Sequence, residues 1–172
     1  MQVLVERVDQ TAEIEEILEI FNTSFIPELH TRVKSLRDYA KKLNEHGELY
    51  VARQGDQIIG FISYYMNNWV TQTAYISLLA VLPEYRRNGI GEELLNGMKK
   101  RAIREGFQKA GLEVEKDNER AIAFYKKHGA VFVKEKSGRT NYMEMPIAHI
   151  LLGAMRYKEP DVCRHQIPCQ TS

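Results

Sequence analysis

Hydrophobic and polar residues alternate at the start of the chain and then repeat with a helical period. The alternation in VLVERV, residues 3–8, predicts a β-strand. In TAEIEEILEIFNTSF, residues 11–25, apolar positions return every three or four residues, which predicts an amphipathic helix with Thr11 as its N-cap. The inward face of that helix comprises Ile14, Ile17, Leu18, Phe21 and Phe25. A polar stretch follows, and a weaker helical pattern then reaches about Leu43 and stops before Gly47.

The middle of the chain predicts a hairpin followed by another strand. Residues 49–53 and 58–66 are apolar runs that flank Gly55-Asp56, a pair typical of a tight turn. TAYISLLAVL, residues 73–82, predicts the next strand, which ends at Pro83.

Helices and short strands alternate in the second half of the chain. One helix follows Gly91 and ends at Gly106, and its inward positions are Leu94, Leu95, Met98, Ala102 and Ile103. AGLEV then predicts a short strand. The next helix is capped by Asn118 and closed by Gly129, and AVFVKE and NYMEMPI predict the last two strands.

The predicted order β-α-α-β-β-β-α-β-α-β-β indicates an α/β (α+β) fold. Two strand–helix–strand units imply parallel pairing within a mostly antiparallel sheet of about seven strands, flanked by about four helices. The pattern fades after Ile147. We therefore expect one domain over residues 1–147 and a C-terminal extension over residues 148–172.

Composition limits the classes of partner. The 172 residues carry a net charge of +1, with 44% hydrophobic and 27% charged residues, so no bulk basicity favours nucleic acid or an anionic membrane. The N-terminus lacks the features of a signal peptide, and no apolar run is long enough to span a bilayer, which predicts a cytoplasmic protein. Cys163, His165 and Cys169 match no common zinc spacing, so we expect no metal site.

The segment PEYRRNGIGEELL places arginines and glycines at the start of a helix, where unpaired N–H groups favour phosphate. It is not a Walker A loop, because no Lys-Ser or Lys-Thr follows a glycine. It is not a dinucleotide fingerprint either, because the third glycine position is Leu94.

The segment instead resembles the R/Q-x-x-G-x-G/A signature of the GNAT superfamily of N-acetyltransferases. The loop Arg86-Arg87-Asn88-Gly89-Ile90-Gly91 follows directly after the predicted strand, and DNERAIAFYKKHGAVFV supplies the family's Asn–Ala–Tyr helix. The order of elements matches the family as well, so the resemblance covers the chain to about Ile147. It implies a GNAT-like sheet in which the strand before the loop splays from its parallel neighbour.

The resemblance also implies the site. Acetyl-CoA is the expected co-substrate, gripped through its diphosphate by loop N–H groups and arginines, and through its pantetheine arm by main-chain groups of the splayed strand. We expect Tyr125 to be the catalytic proton donor for the leaving thiolate, and Asn118 to contact the cofactor arm, to cap its helix, or both. The full cofactor-binding set is Leu79, Ala80, Val81, Arg86, Arg87, Asn88, Gly89, Ile90, Gly91, Asn118 and Tyr125.

The sequence leaves the general base and the acceptor open. Many family members carry a glutamate on the strand before the loop, whereas this chain has Tyr75 and Ser77, so Glu28, Glu113 and Tyr64 stay as alternatives. The expected reaction is acetyl transfer to a primary amine, with a small molecule favoured over a protein lysine or N-terminus. A non-catalytic acyl-CoA-binding module is the alternative, and the oligomeric state is left as monomer or homodimer.

Overall fold

Seven strands form a single sheet in the computed structural model, which describes residues 2–148. They are β1 (Val3–Val8), β2 (Glu48–Gln54), β3 (Gln57–Asn68), β4 (Thr73–Val81), β5 (Lys109–Glu115), β6 (Val131–Glu135) and β7 (Thr140–Pro146). Their spatial order is β1-β2-β3-β4-β5-β7-β6. All neighbouring strands of this sheet are antiparallel except β4 and β5, which run parallel.

Five α-helices flank the sheet within the described part of the chain. They are α1 (Thr11–Ile20), α2 (Leu29–Arg32), α3 (Leu36–His46), α4 (Ile90–Arg104) and α5 (Glu119–Lys127). The mixed, mostly antiparallel fold is confirmed, and the helix beyond the expected four is the single turn α2. β7 lies between β5 and β6, so only one of the two strand–helix–strand units ends in a directly paired parallel strand.

The two faces of the sheet pack against different helices. One core contains Ile14, Ile17 and Leu18 of α1 with Ala40 and Leu43 of α3. The other contains the buried side of α4 together with Tyr125 of α5. We call these the α1/α3 face and the α4/α5 face. Burial of apolar side chains on both faces is the main favourable contribution to folding.

Three details of the sequence-based helices are wrong. Thr11 is the first residue of α1, and Gln10 takes the N-cap position without a side-chain hydrogen bond. Phe25 lies beyond the end of α1, because the chain turns into a short 3₁₀ segment, Asn22–Ser24. Ile103, expected to face inward, is 43% exposed.

A glycine on β3 determines how closely α4 approaches the sheet. A Cβ atom added to Gly60 would lie 3.0 Å from the Ala80 carbonyl oxygen, 3.2 Å from Ile90 and 3.3 Å from Leu94. The first turn of α4 therefore packs directly over this backbone position. Because this contact fixes the start of the helix, it also fixes the loop that precedes it.

The predicted C-terminal extension, with Cys163, His165 and Cys169, lies outside the described residues apart from its first residue. Within residues 2–148, none of the helices is long and apolar enough to cross a membrane. No group of histidine, cysteine, aspartate or glutamate residues in that range could hold a metal ion.

Candidate acetyl-CoA and acceptor site

A β-bulge at Ser77 interrupts β4. Ser63 of β3 pairs with Leu78 and Tyr64 pairs with Ile76, so Ser77 is an extra residue without a partner in the ladder. Before the bulge, Ile76 packs on the α4/α5 face; after it, Leu78 packs on the α1/α3 face. A bulge of this kind re-aims the side chains that follow it, because strand residues alternate between faces.

The parallel strands separate at the same position. The ladder between β4 and β5 ends at the pair formed by Ile76 and Leu112, although both strands continue beyond it. From Ser77 to Val81, the side of β4 that faces β5 has no strand partner among the described residues. Leu79, Ala80 and Val81 therefore lie on an open main-chain edge, and an open edge can pair with the amide groups of an extended ligand.

The arginine–glycine loop joins this edge to α4 through two left-handed residues. Arg87 has φ of +66° and Gly89 has φ of +77°, and Gly89 takes the N-cap position of α4. The first intrahelical bond runs from Glu93 N to the Gly89 carbonyl. Within residues 2–148, the main-chain N–H groups from Arg87 to Gly91 donate no hydrogen bond, which leaves them available to an anion.

The other loop residues differ in which of their groups a ligand can reach. Ile90 is buried in the core, so only its main chain can reach a ligand, while Asn88 is exposed. Gly91 lies within the first turn of α4, and its φ is not positive. A Cβ atom on Gly91 would lie 3.5 Å from the Phe124 ring, an ordinary contact distance.

Arg86 makes a contact that the sequence did not indicate. Its Nε donates to the Val81 carbonyl oxygen at 3.0 Å, so this carbonyl is already bonded within the protein. Partial burial and then the charge of Arg120 lower the pKa of Arg86. Arg120, at the start of α5, is therefore a third cation close to the loop, and sequence reasoning missed it.

Asn118 takes the N-cap position of α5, and Tyr125 lies on that helix. Asn118 Oδ1 accepts a hydrogen bond from Ala121 N at 3.1 Å, which confirms that it caps the helix. Tyr125 is buried on the α4/α5 face, and burial raises the pKa of its hydroxyl. The hydroxyl stays protonated near neutral pH, as a proton donor requires.

A cavity of about 280 Å³ opens on the α1/α3 face, beside the bulge. Its polar lining comprises the hydroxyl-bearing residues Tyr39, Tyr65, Tyr75 and Ser77. Arg32 and Lys42 are its charged residues, and Leu29, Val33 and Leu78 complete it. The cavity therefore lies next to the point where β4 leaves β5.

The three candidates for the general base occupy different surroundings. Tyr64 is fully buried and its hydroxyl donates to Glu48 at 2.8 Å. Glu28 accepts from Asn22 Nδ2 at 3.3 Å and lies 3.2 Å from His30. Glu113 is exposed, and it interacts with Tyr75: burial and then the Glu113 carboxylate raise the pKa of Tyr75.

Trp69 does not lie near this cavity. Its ring packs against Phe107 with the centroids 4.6 Å apart, beside the turn that leads into β4. The splayed part of β4 is at the other end of the strand. Trp69 therefore covers part of the buried Phe107 ring.

The sequence model of the acetyltransferase (GNAT) family matches residues 14–130. The chain belongs to the GNAT family. Relatives of this GNAT chain include zebrafish N-alpha-acetyltransferase 50, which is 32% identical over 69% of the chain and 72% of the relative. Mouse thialysine N-epsilon-acetyltransferase is 30% identical over 49% of the chain, and the match spans 51% of its length.

The same fold occurs in solved structures. The PaiA N-acetyltransferase of Thermoplasma acidophilum, crystallised with coenzyme A, superimposes with a TM-score of 0.70 at 20% identity, covering 85% of this chain and 99% of that one. At this identity the similarity concerns the fold. Together with the family match, it confirms the GNAT assignment predicted from the loop and the Asn–Ala–Tyr helix.

Proposed function

We propose that this GNAT protein transfers an acetyl group from acetyl-CoA to a primary amine. The observation that carries this proposal is the open edge of β4, which leads directly into a loop whose N–H groups have no acceptor among residues 2–148. The relatives support the reaction class. The cytoplasmic location expected from the sequence stays a prediction.

The cofactor contacts follow from the geometry of the edge and the loop. The diphosphate binds to the N–H groups between Arg87 and Gly91, next to the guanidinium groups of Arg86, Arg87 and Arg120. The pantetheine arm pairs with main-chain groups of Leu79, Ala80 and Val81, where Arg86 must release the Val81 carbonyl if that oxygen is used. No atom of the described residues lies within 4 Å of a Cβ atom placed on Gly89, so this part of the loop leaves room for an anion.

Acetyl-CoA supplies a thioester, so the new C–N bond forms as the C–S bond breaks. In the proposed reaction, groups from both faces of the sheet act where β4 and β5 cease to pair. The acceptor amine enters from the cavity on the α1/α3 face, while Tyr125 reaches this position from the α4/α5 face. Tyr125 donates its proton to the leaving thiolate and regains one from solvent, because a thiol with a pKa of roughly 8.5 is mostly protonated near neutral pH.

Glu113 is the proton acceptor that the geometry supports best. An alkyl ammonium has a pKa of about 10.4, so it must lose a proton before it attacks. Tyr75 lines the cavity and interacts with Glu113, whereas its own raised pKa prevents it from acting as a tyrosinate base. Proton transfer from the amine through the Tyr75 hydroxyl to the Glu113 carboxylate uses both residues.

The acceptor class follows from the size of the cavity. One relative is named for thialysine and another for N-alpha acetylation, so relatives differ in acceptor. The cavity of about 280 Å³ is slightly below the usual range for small-ligand sites, roughly 300–1,000 Å³. We therefore favour a small amine over a protein lysine or N-terminus.

Release of free thiol from acetyl-CoA with a panel of amines tests the proposal. Glu113→Gln and Tyr75→Phe should each lower kcat by at least tenfold without changing the affinity for CoA. Glu115→Gln is the matched control, because Glu115 lies on the same strand and pairs with Arg139 instead. A folded protein that binds CoA but releases no thiol with any amine is the non-catalytic acyl-CoA-binding module, and the proposal is then wrong.

A further inference from the structure

The charges that line the acceptor cavity are all of one sign. Arg32 on α2 and Lys42 on α3 are its charged lining residues, and no carboxylate lines it within the described part of the chain. An excess of positive charge at the mouth of a small cavity attracts anions and disfavours polycations.

Arg32 is held in place without losing its charge. Its Nε donates to the Pro27 carbonyl at 2.8 Å and its Nη2 to the Ile26 carbonyl at 2.7 Å. The guanidinium also lies over the Phe25 ring, 5.7 Å from the centroid. All three partners are neutral, so none of these contacts, within the part of the chain that the structure describes, neutralises the positive charge. A fixed guanidinium loses little side-chain entropy when it binds a carboxylate.

The ammonium group of Lys42 is likewise available to a ligand. The preceding residue, Lys41, pairs with Glu45 at 3.9 Å along α3. Lys42 is exposed and has no ion-pair partner among residues 2–148. The two cations therefore form a charged rim on the helical side of the cavity.

The sheet side of the cavity has a different character. The hydroxyls of Tyr65, Tyr75 and Ser77 come from β3 and β4, and the Tyr65 hydroxyl interacts with that of Tyr39 on α3. Hydroxyl groups of this kind can donate to or accept from a polar group of a ligand. The hydroxyl side lies next to the bulge where the amine must be acetylated.

We propose that the natural acceptor is a small amine that also carries a carboxylate. Its amine lies against the hydroxyls of β3 and β4, and its carboxylate binds to Arg32 and Lys42. This inference deepens the proposed function and rests on it, because the amine concerned is the one that receives the acetyl group. Polyamines are excluded by like-charge repulsion at the rim.

Matched acceptors test the role of the carboxylate. Thiol release is measured with straight-chain ω-amino acids of increasing length. Each amino acid is compared with its carboxamide and with the diamine of equal length. At the preferred length, the amino acid should exceed both partners in kcat/KM by at least about tenfold, which corresponds to one charge-assisted hydrogen bond. Equal or greater kcat/KM for the carboxamide or diamine overturns the proposal. So does greater kcat/KM for a peptide N-terminus than for every small amine.

Charge reversal at Lys42 and at its neighbour Lys41 distinguishes a specific contact at the rim of the cavity from a general effect of charge. Lys42→Glu should lower kcat/KM for the amino acid at least about tenfold and raise it for the diamine. Lys41→Glu makes the same change of charge on the same helix but away from the cavity, and should leave both values within about twofold. Indistinguishable values for the two variants contradict the proposal.

Calorimetric binding of the same acceptors, in the presence of CoA, distinguishes this inference from the reaction itself. If no amine is acetylated but the amino acid still binds and Lys42→Glu abolishes that binding, the proposed function fails and the carboxylate site stands. If amines are acetylated with no preference for a carboxylate, the function stands and this inference fails.

Discussion

The hydroxyl oxygens of Ser63 and Ser77 lie 2.8 Å apart on neighbouring strands, at the bulge where β4 separates from β5. Ser63 is fully buried, and Ser77 Oγ also donates to the Ser63 carbonyl oxygen at 3.2 Å. Since the extra residue of a bulge has no ladder partner, these side-chain contacts attach Ser77 to β3. They stabilise the position at which the open edge of β4 begins.

A double-mutant cycle on this pair measures that contribution. Ser63→Ala and Ser77→Ala should each lower the free energy of unfolding by about 1 kcal/mol, because each removes a hydrogen bond from a partly or fully buried position. The double variant should lose less than the sum of the two, with a coupling energy of at least about 0.5 kcal/mol. Urea denaturation provides the values, and strict additivity would show that the two hydroxyls are independent.

Gly89→Ala should reduce CoA binding more than it reduces stability. Its φ of +77° costs an alanine roughly 1–2 kcal/mol, and relaxation of that strain moves the N–H groups of the loop. Gly55→Ala is the matched control, because Gly55 also has positive φ, +61°, with nothing within 4 Å of the added Cβ, but lies in the β2–β3 turn. We expect similar losses of stability and at least a tenfold loss of CoA affinity for Gly89→Ala alone, measured by calorimetry.

Tyr125→Phe should lower kcat by about 10²-fold, the usual contribution of a general acid, while CoA affinity changes less than twofold. Because burial raises the pKa of Tyr125, the hydroxyl stays protonated, and kcat should not fall from its ionisation below about pH 10. Tyr50→Phe, which alters a buried tyrosine stacked on Tyr64, is the control. Unchanged turnover in Tyr125→Phe would exclude the proton-donor role.

Stability should rise with pH because of Lys99. Burial lowers the pKa of this α4 lysine to about 8, against an ordinary value of 10.5. Between these values the unfolded chain binds more protons than the folded one, so the free energy of unfolding increases with pH through that window, on the order of 1–3 kcal/mol. Urea denaturation at pH values from about 7 to 9.5 measures the slope.

Two substitutions on α4 isolate this effect. Lys99→Met removes the titrating group at similar volume, and the pH-dependent gain should disappear. Lys100→Met changes the exposed neighbour and should retain the gain. Equal slopes in wild type and Lys99→Met would show that another group titrates.

Hydrophobic periodicity predicted the elements well where one pattern continues through the whole element. The first strand agrees at both ends, and the Asn118 helix has the cap and the closing glycine expected. The α1 prediction ran too long because Asn22 bonds to Glu28 and to His30, and these polar contacts turn the chain away from the helix. Such contacts do not appear in an apolar pattern.

The arginine–glycine loop could be predicted as a candidate phosphate site because its residues are consecutive in the sequence. The candidate acceptor side could not, because its residues come together only through strand pairing. Tyr75 faces Gly111 in the parallel ladder, so Glu113 lies two residues further along β5 and close to Tyr75. The only local sign of the bulge is the adjacent pair Leu78-Leu79, which breaks the alternation of β4.

Because of the extra residue Ser77, the even-numbered side chains of β4 lie on the α4/α5 face before the bulge and on the α1/α3 face after it. If Ser77 were deleted, Ile76, Leu78 and Leu79 would alternate regularly, and each would keep its present face of the sheet. Only Ser77 itself and its hydroxyl contact with Ser63 would be lost. The extra residue therefore adds one hydroxyl group to the lining of the cavity without turning over the rest of the strand.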